Sequence, residues 1–320
     1  MRLAVLVNPR SGGGRGARVA PGVVGMLREA GHDVVELRGS SVAEAAALLT
    51  REVTRPAAGG VPVDAVVSVG GDGGIHVALG VLREHAPGVP LGILAAGSGN
   101  DLARSLDLPL RDPVTQTAHL LASLSRPARM LDLGRVRPLG PDGAVDETRE
   151  PLWFLNVASA GVDAAVNARA NAMRRPRGKS RYLLGLAAEL VRFRGYAVRV
   201  VADGADLGDC GTIVAVGNSR SIGGGMLIAP AANLSDGLLD VVVARTVGRA
   251  LLASVFPRVY SGSHVTHPIV RVVRARTVDV LPDPDVLGRA PAPRLHADGE
   301  ELCELPARVD LLPRAIPVLA

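Results

Sequence analysis

The sequence predicts an α/β domain with a parallel sheet, followed by a mostly β domain. The chain has 320 residues, enough for two domains of ordinary size. In the first third, short apolar runs alternate with helix-like periodicity, which is typical of a parallel sheet covered by helices. After about residue 130, strand-like runs follow one another directly. We therefore expect domains at residues 1–128 and 129–320, with a C-terminal tail that can pack back on the first domain.

The first domain is predicted to contain four strands, with a helix after each of them. Short apolar runs indicate the strands, and apolar residues at helical spacing indicate the helices. Gly31 follows the first predicted helix, where glycine commonly ends a helix. The predicted strands are 3–7, 33–37, 65–69 and 91–94, and the predicted helices are 15–30, 42–52, 74–84, 101–106 and 113–125.

The second domain is predicted to be built mainly from strands. Two helices interrupt them, at about 164–172 and 182–193, and segments 140–150 and 282–293 are rich in Pro, Asp and Gly, as exposed loops are. The predicted strands are 131–136, 154–158, 198–202, 212–216, 239–244, 270–273, 278–281, 294–297 and 308–312.

Composition excludes several classes of protein. Apolar residues make up 48% and charged residues 21%, which indicates a globular protein. Aromatic residues are only 2% and the net charge is a modest +5, so we expect no nucleic acid partner. The two cysteines, Cys210 and Cys303, have no zinc-site spacing and suggest a reducing, cytoplasmic compartment. No apolar run reaches about 18 residues, so no transmembrane helix is expected.

Three glycine-rich segments follow three predicted strands of the first domain. They read NPRSGGGRG from Asn8, GGDGG from Gly70 and GSGND from Gly97. Glycines let the backbone approach a ligand, and the amides of such loops, with the helix that follows, favour phosphate. Asp72 is suited to Mg²⁺ or a nucleotide hydroxyl, and Ser11 and Ser98 to phosphate oxygens. Three such loops at one sheet edge predict a polyphosphate site, although none has the G-x-x-x-x-G-K-[ST] pattern.

The order of six motifs resembles the diacylglycerol kinase catalytic family. The motifs are NPRSGGGRG, VSVGGDGG, GILAAGSGNDLARSL, FLNVASAGVDA, GGGMLIAPAANLSDGLLDVVV and ADGE, and together they span nearly the whole chain. The family includes soluble bacterial lipid kinases and the catalytic domains of sphingosine kinases. The resemblance implies an N-terminal domain like that of NAD kinases and phosphofructokinases, and a C-terminal β-sandwich that takes the lipid.

The resemblance implies an ATP- and Mg²⁺-dependent kinase that phosphorylates a hydroxyl of diacylglycerol or a related lipid. It assigns the nucleotide to residues that match the family's motifs, with Ser98 in place of a threonine and a looser match at Ser40. The expected partners are ATP and a lipid at the inner membrane surface, with a homodimer as a further expectation. The nucleotide-binding residues it implies are Asn8, Ser11, Gly12, Ser40, Gly70, Gly71, Asp72, Gly73, Gly74, Gly97, Ser98, Asn100 and Asp101.

Two later segments carry the remaining chemistry that the resemblance implies. In Asp298-Gly299-Glu300, Glu300 is the general base that takes the proton of the lipid hydroxyl, and Asp298 belongs to the same catalytic motif. The segment from Asn233 resembles a metal site, with the Asp236 carboxylate and carbonyl oxygens of Asn233 and Leu238 as ligands. Without the family, the Asp-Gly pair at 298–299 favours a hairpin turn. The segment from Asn233 is equally compatible with a turn before a strand.

The sequence departs from the family at the second glycine-rich loop. Gly74 stands where the family usually has threonine, and His76-Val77 replaces an Asn-Glu pair. These changes remove a hydroxyl and a carboxylate from the nucleotide site. They motivate one alternative, a non-catalytic protein that binds lipid or nucleotide. They weaken a second alternative, a kinase of the same fold with a soluble acceptor such as NAD, because NAD kinases use the same Asn-Glu pair for their substrate.

A basic segment at 173–181 precedes an apolar segment at 182–191. It holds five basic residues, each of which contributes roughly 1 kcal/mol at an anionic membrane surface. A solvated loop before a core helix is the alternative. The segment is the first candidate for contact with a lipid bilayer.

Overall fold

The chain separates into two compact units. The structure, a computed structural model, describes residues 1–55, 60–161, 166, 198–209, 213–283, 294–298 and 300–320. One unit comprises Met1–Leu131 and Arg314–Ala320, and the other comprises Asp132–Pro313. Among the described residues, no helix is long and apolar enough to cross a membrane.

The first unit contains a parallel sheet in the strand order β2-β1-β3-β4, and Val318 and Leu319 of the last strand extend it by pairing with β4. A short 3₁₀ helix, Ser11–Gly13, precedes the first α-helix. The elements are β1 (Arg2–Val7), α1 (Arg15–Glu29), β2 (Asp33–Arg38), α2 (Val42–Val53), β3 (Ala65–Gly70), α3 (Asp72–His85), β4 (Leu91–Ala95), α4 (Asp101–Ser105) and α5 (Pro113–Leu124).

The central strands of this sheet are apolar along their whole length. Every described residue of β3 and β4 is buried, because helices that follow the strands cover both faces. Leu27 of α1 and Leu120 of α5 reach the same cluster as Leu3, Val5 and other strand residues. The arrangement leaves the carboxyl ends of β1, β3 and β4 side by side at one edge of the sheet.

The second unit is a β-sandwich. Its two sheets have the orders β12-β11-β10-β7-β14-β15 and β16-β13-β8-β9, with β5 and β6 beside β16. The elements are β5 (Arg129–Pro138), β6 (Leu152–Phe154), β7 (Val157–Gly161), β8 (Val198–Ala202), β9 (Ala205–Asp209), β10 (Ile213–Gly217), β11 (Leu239–Ala244), α6 (Arg249–Val255), β12 (Val270–Ala275), β13 (Thr277–Pro282), β14 (Arg294–Ala297), β15 (Glu300–Glu304) and β16 (Ala307–Leu319).

Alternating apolar residues from both sheets form the core of the sandwich. Val198 and Val200 of one sheet join Val214, Val216 and Val241 of the other in one buried cluster. A second cluster lies on the other face of the six-stranded sheet, where two 3₁₀ helices, Phe256–Ser261 and Ser263–Thr266, follow α6. Alternation of buried and outward-facing residues along each strand is typical of two sheets packed face to face.

The predicted fold class, α/β followed by a β-sandwich, is confirmed. The prediction of one strand over 154–158 is wrong, because β6 ends at Phe154 and β7 begins at Val157. Between them, the amides of Leu155 and Asn156 donate to the Asp298 carboxylate and not to a neighbouring strand. The pattern also missed β9, β15 and α6. The predicted helices at 164–172 and 182–193 and the basic segment 173–181 fall outside the described residues, apart from Val166.

Candidate functional site

The three glycine-rich segments follow three adjacent strands. Because β3 pairs in parallel with both β1 and β4, the loops after these strands emerge at the same edge of the sheet. The first loop continues into the 3₁₀ helix and α1, the second opens α3, and the third opens α4. The structure therefore brings together the predicted phosphate-binding loops of the first unit.

The loops approach one another so closely that two of the glycines have no room for a side chain. A Cβ on Gly97 would lie 2.5 Å from the Cα of Gly71, and a Cβ on Gly12 would lie 2.3 Å from the carbonyl oxygen of Ala96. Gly12 also has a φ of 55°. Both distances are far below van der Waals contact, so these positions require glycine for packing of loop on loop.

Asn100 holds the third loop in shape. Its side chain accepts a hydrogen bond from the Gly97 amide and donates one to the Gly97 carbonyl, both at 2.9 Å. The residue is 6% exposed and has a φ of 59°, a conformation that asparagine tolerates better than most residues. Asn100 thus shapes the loop, and its amide group is already occupied by Gly97.

Asp72 links the second loop to the third. Its carboxylate accepts hydrogen bonds from the backbone amides of Asp101 and Leu102, each at 3.2 Å. These are the first two amides of α4, which have no partner within the helix. Each carboxylate oxygen keeps a further lone pair. Asp72 is half-buried and can therefore hold the helix and still ligate a cation at the loop surface.

The polar side chains of the first and third loops have different surroundings. Asn8 uses its side-chain oxygen to accept a hydrogen bond from the Arg10 amide at 3.1 Å, which supports the turn before the 3₁₀ helix. The Ser11 hydroxyl lies toward the second loop, 3.4 Å from where a Cβ on Gly71 would be. Ser98 is exposed at the tip of the third loop. Both serines face the loop cluster or solvent, as phosphate contacts would require.

Ser40, the loosest of the predicted nucleotide contacts, takes part in capping α2. Its amide and its hydroxyl both donate to the Glu44 carboxylate, while Ser41 accepts from the Glu44 amide at 3.2 Å. This is a capping box displaced by one residue, because the Glu44 side chain bonds the amide of Ser40 and not that of Ser41, the residue that caps α2. The hydrogen bonds from Ser40 lower the pKa of Glu44. A nucleotide role for Ser40 stays a prediction.

The structure gives a packing reason for Gly74. A Cβ there would lie 3.2 Å from the Oγ of Ser68, a buried β3 residue whose hydroxyl has no partner among the described residues. A threonine at this position would crowd that hydroxyl. His76, one turn into α3, is half-buried and its Nδ1 lacks a partner within the described ranges.

Asp298 anchors a turn of the second unit. Its carboxylate accepts from the amides of Leu155 at 2.8 Å and Asn156 at 2.9 Å, and its φ is 52°. These bonds join the end of β14 to the start of β7. Glu300 begins β15 and its side chain is exposed. Asp298 therefore positions the motif, and Glu300 is its accessible carboxylate.

A buried polar network surrounds this anchor, and the sequence analysis missed it. Asn218 donates to the carbonyls of Leu155 at 2.8 Å and Asp132 at 3.0 Å, while the Ser219 hydroxyl donates to the side chain of Asn156 at 3.0 Å. All these polar side chains are under 5% exposed. The available signal was polar residues at the ends of apolar strands, in FLNV and VGNS.

The predicted metal segment contains an ion pair. The Asp236 carboxylate pairs with the Arg274 guanidinium and also accepts from the Leu238 amide at 3.1 Å, while the Asn233 side chain accepts from the Ser235 amide at 3.2 Å. Within the described part of the chain, no three His, Cys, Asp or Glu side chains cluster as metal ligands.

A cation at this segment would therefore compete with Arg274 for the carboxylate. A metal-binding role for the Asp236 carboxylate and the carbonyl oxygens of Asn233 and Leu238 stays a prediction. Asp240 lies nearby, with its Oδ2 3.9 Å from the Arg274 Nε. Burial raises the pKa of Asp240.

Comparison with known proteins agrees with this architecture. The family model described as "Diacylglycerol kinase catalytic domain" matches residues 2–133, and the "YegS C-terminal NAD kinase beta sandwich-like domain" matches residues 156–320. A diacylglycerol kinase of Mycobacterium tuberculosis is 38% identical, covering 99% of this chain and 94% of that protein. A "Probable lipid kinase YegS-like" of Xanthomonas oryzae is 29% identical, and the match covers 80% of this chain and 81% of that protein.

Solved structures show the same fold. A diacylglycerol kinase of Bacillus anthracis superposes with a TM-score of 0.68 at 18% identity, covering 99% of this chain and 96% of that one. At this identity the likeness concerns the fold alone. The matches of both family models and the relative at 38% identity carry the assignment. The chain belongs to the diacylglycerol kinase catalytic family of lipid kinases.

Proposed function

We propose that the protein transfers the γ-phosphoryl group of ATP to a hydroxyl of diacylglycerol or a related lipid, with Mg²⁺. In this proposal, residues 1–128 bind the nucleotide and residues 129–320 bind the lipid. The protein is cytoplasmic and works at the inner surface of the membrane. The observation that carries it is the convergence of the three glycine-rich loops around Asp72. Family membership supports the lipid kinase class.

The loops supply what a triphosphate needs. Glycines at positions 12, 71 and 97 bring the backbones of the three loops together without side chains between them. We propose that phosphate oxygens bind backbone amides of these loops, apart from the Gly97 amide, which donates to Asn100. The hydroxyls of Ser11 and Ser98 complete the donors. Asp72 would hold the Mg²⁺ that neutralises phosphate charge, a role for which its free lone pairs and half-buried position are suited.

Glu300 is proposed as the general base. As the lipid hydroxyl oxygen bonds to the γ-phosphorus, the bond from that phosphorus to the bridging oxygen breaks and ADP leaves with the electron pair. The hydroxyl proton passes to the Glu300 carboxylate. The carboxylate is exposed, so its oxygens are accessible to accept that proton. Asp298 acts through backbone amides and is proposed as a positioning residue.

The test is transfer of label from γ-labelled ATP in three parallel assays: a lipid extract, NAD, and no acceptor. Label in a lipid fraction supports the proposal, and the labelled species names the acceptor. Label in NAD would favour the kinase with a soluble acceptor. Nucleotide binding without any transfer would favour the non-catalytic alternative. The matched control is Glu300→Gln, which is expected to bind ATP and transfer little label.

A further inference from the structure

One stretch of the second unit is strongly basic and carries no acid. Residues 241–276 contain six arginines and no aspartate or glutamate, although the whole chain has 31 acidic residues. All six arginines are exposed. Such a one-sided segment creates a local positive field that the chain's modest net charge does not reveal.

The same stretch exposes apolar side chains. Seven large hydrophobic side chains are exposed in the described part of the chain, and three of them lie here: Leu251 at 37%, Tyr260 at 43% and Val272 at 39%. Leu251 belongs to α6, Tyr260 to the 3₁₀ helix after it, and Val272 to β12. Apolar side chains beside basic ones are the combination by which proteins bind membrane interfaces.

These elements share one face of the six-stranded sheet. Phe256, Val259 and Val270 pack on the same buried cluster, and Phe256 contacts Tyr260 edge to face with ring centroids 6.5 Å apart. Alternation along β12 puts Val272 on the face of Val270. α6 contacts the first of the two 3₁₀ helices, that helix contacts the second, and the second contacts β12. We call the exposed residues of these linked elements the α6–β12 surface: Leu251, Arg258, Tyr260 and Val272 with the neighbouring arginines.

Protection of an open sheet edge explains only part of this pattern. β12 is the edge strand of its sheet, and charged residues on an edge discourage pairing with another chain. However, Arg258 lies outside the strand, and so do Leu251 and Tyr260. Arg274 pairs with Asp236 and is not counted as part of the surface.

We infer that the α6–β12 surface docks on an anionic lipid bilayer. This inference rests on the proposed function, because a lipid kinase must reach an acceptor held in a membrane. Basic side chains are attracted to anionic headgroups, while Leu251, Tyr260 and Val272 insert at the interface. A second copy of this chain fits less well, since two such faces would repel each other.

The experiment compares vesicle sedimentation of wild-type protein and the double variant Arg258→Glu with Val272→Glu. Vesicles contain phosphatidylcholine alone or with phosphatidylglycerol. The matched control is Val114→Glu with Arg126→Glu, which makes the same changes at exposed sites of the first unit. We expect the variant to lower partitioning onto phosphatidylglycerol vesicles by about tenfold or more, with the control like wild type.

A milder pair, Arg258→Gln with Tyr260→Ser, guards against misfolding and is expected to weaken binding in the same direction. Kinase activity is measured on vesicles and on detergent-dispersed lipid. The variant with Arg258→Glu and Val272→Glu should lose activity on vesicles and keep wild-type activity on detergent-dispersed lipid. Absence of transfer by wild type in both assays would refute the proposed function, while sedimentation would still test docking.

Three results would overturn the inference. The first is that wild type does not bind phosphatidylglycerol vesicles, or binds them no better than the two double variants of the α6–β12 surface. The second is a change in oligomeric state by light scattering with vesicle binding unaltered, which would make the surface a contact between copies. The third is loss of binding to a labelled oligonucleotide with vesicle binding unaltered.

Discussion

The carboxylate of Asp72 caps the helix that begins at Asp101, at 3.2 Å from its backbone nitrogen. One side chain thus joins the loop after β3 to the loop after β4, at the point where a nucleotide's phosphates are proposed to bind. Asp72 therefore has two roles that substitutions can separate: it stabilises the start of α4, and it is the proposed ligand of the cation.

Substitution of Asp72 should separate these roles. Asp72→Ala removes the cap and the metal ligand, so we expect loss of ATP binding and a decrease of about 1 kcal/mol in the free energy of unfolding. Asp72→Asn keeps one oxygen acceptor, enough for one of the two helix amides, so it should retain part of that stability while binding Mg²⁺-ATP poorly. Calorimetric titration and urea unfolding measure the two effects. Tight ATP binding by both variants would contradict the assignment.

Gly97→Ala should disrupt the contact between loops. The new methyl group would lie 2.5 Å from the Cα of Gly71, so a backbone must move, at a cost of about 2 kcal/mol. We expect weaker nucleotide binding together with a lower melting temperature. The control is Gly80→Ala in α3, where a Cβ meets nothing within 4 Å and stability should rise slightly. Equal behaviour of the two variants would refute the steric account.

Glu300→Gln should affect turnover and little else. Its side chain is exposed, so unfolding and ATP affinity should match wild type, while turnover on lipid falls about 10²- to 10⁴-fold. Glu304→Gln, a nearby exposed carboxylate that pairs with Arg294, is the control and should keep full turnover. If Glu300→Gln keeps wild-type turnover, Glu300 is not the general base.

The buried carboxyl of Asp240 predicts a specific dependence of stability on pH. Burial raises its pKa in the folded protein, despite Arg274, so the folded state binds more protons than the unfolded state between the two pKa values. Its contribution is present below the unfolded pKa and is lost as pH rises through the folded pKa. Asp240→Asn should flatten this fall in the free energy of unfolding.

Asp206 provides a control of opposite sign for that experiment. The Gly208 amide and Arg199 lower its pKa, so its small contribution is lost as pH falls. Urea unfolding across the acid range distinguishes Asp240→Asn from Asp206→Asn. A wild-type pH profile in Asp240→Asn would contradict the assignment of the slope to that carboxyl.

The sequence was sufficient for the features that depend on local pattern. Glycines after apolar strands predicted the loops around Gly71 and Gly97, because only glycine permits such close backbone approach. The capping box at Ser41 and Glu44 was equally readable, yet Ser40 was interpreted from a loose family match instead. Local chemistry is therefore sufficient to explain the position of Ser40.

The buried network could not be predicted because its partners are distant in the chain. Asn218 bonds carbonyls of Asp132 and Leu155, 86 and 63 residues away, and Asp298 bonds Asn156 across 142 residues. The pairing of Asp236 with Arg274 likewise spans 38 residues. Polar residues on apolar strands indicated that partners exist, but only the fold identifies them.

The most direct test of the account is transfer of label from γ-labelled ATP to a lipid, measured for wild type and Glu300→Gln with Mg²⁺. The account predicts a labelled lipid with wild type and almost none with the variant, at equal ATP binding. No labelled lipid with wild-type protein that binds ATP, or equal labelling by both proteins, would contradict it.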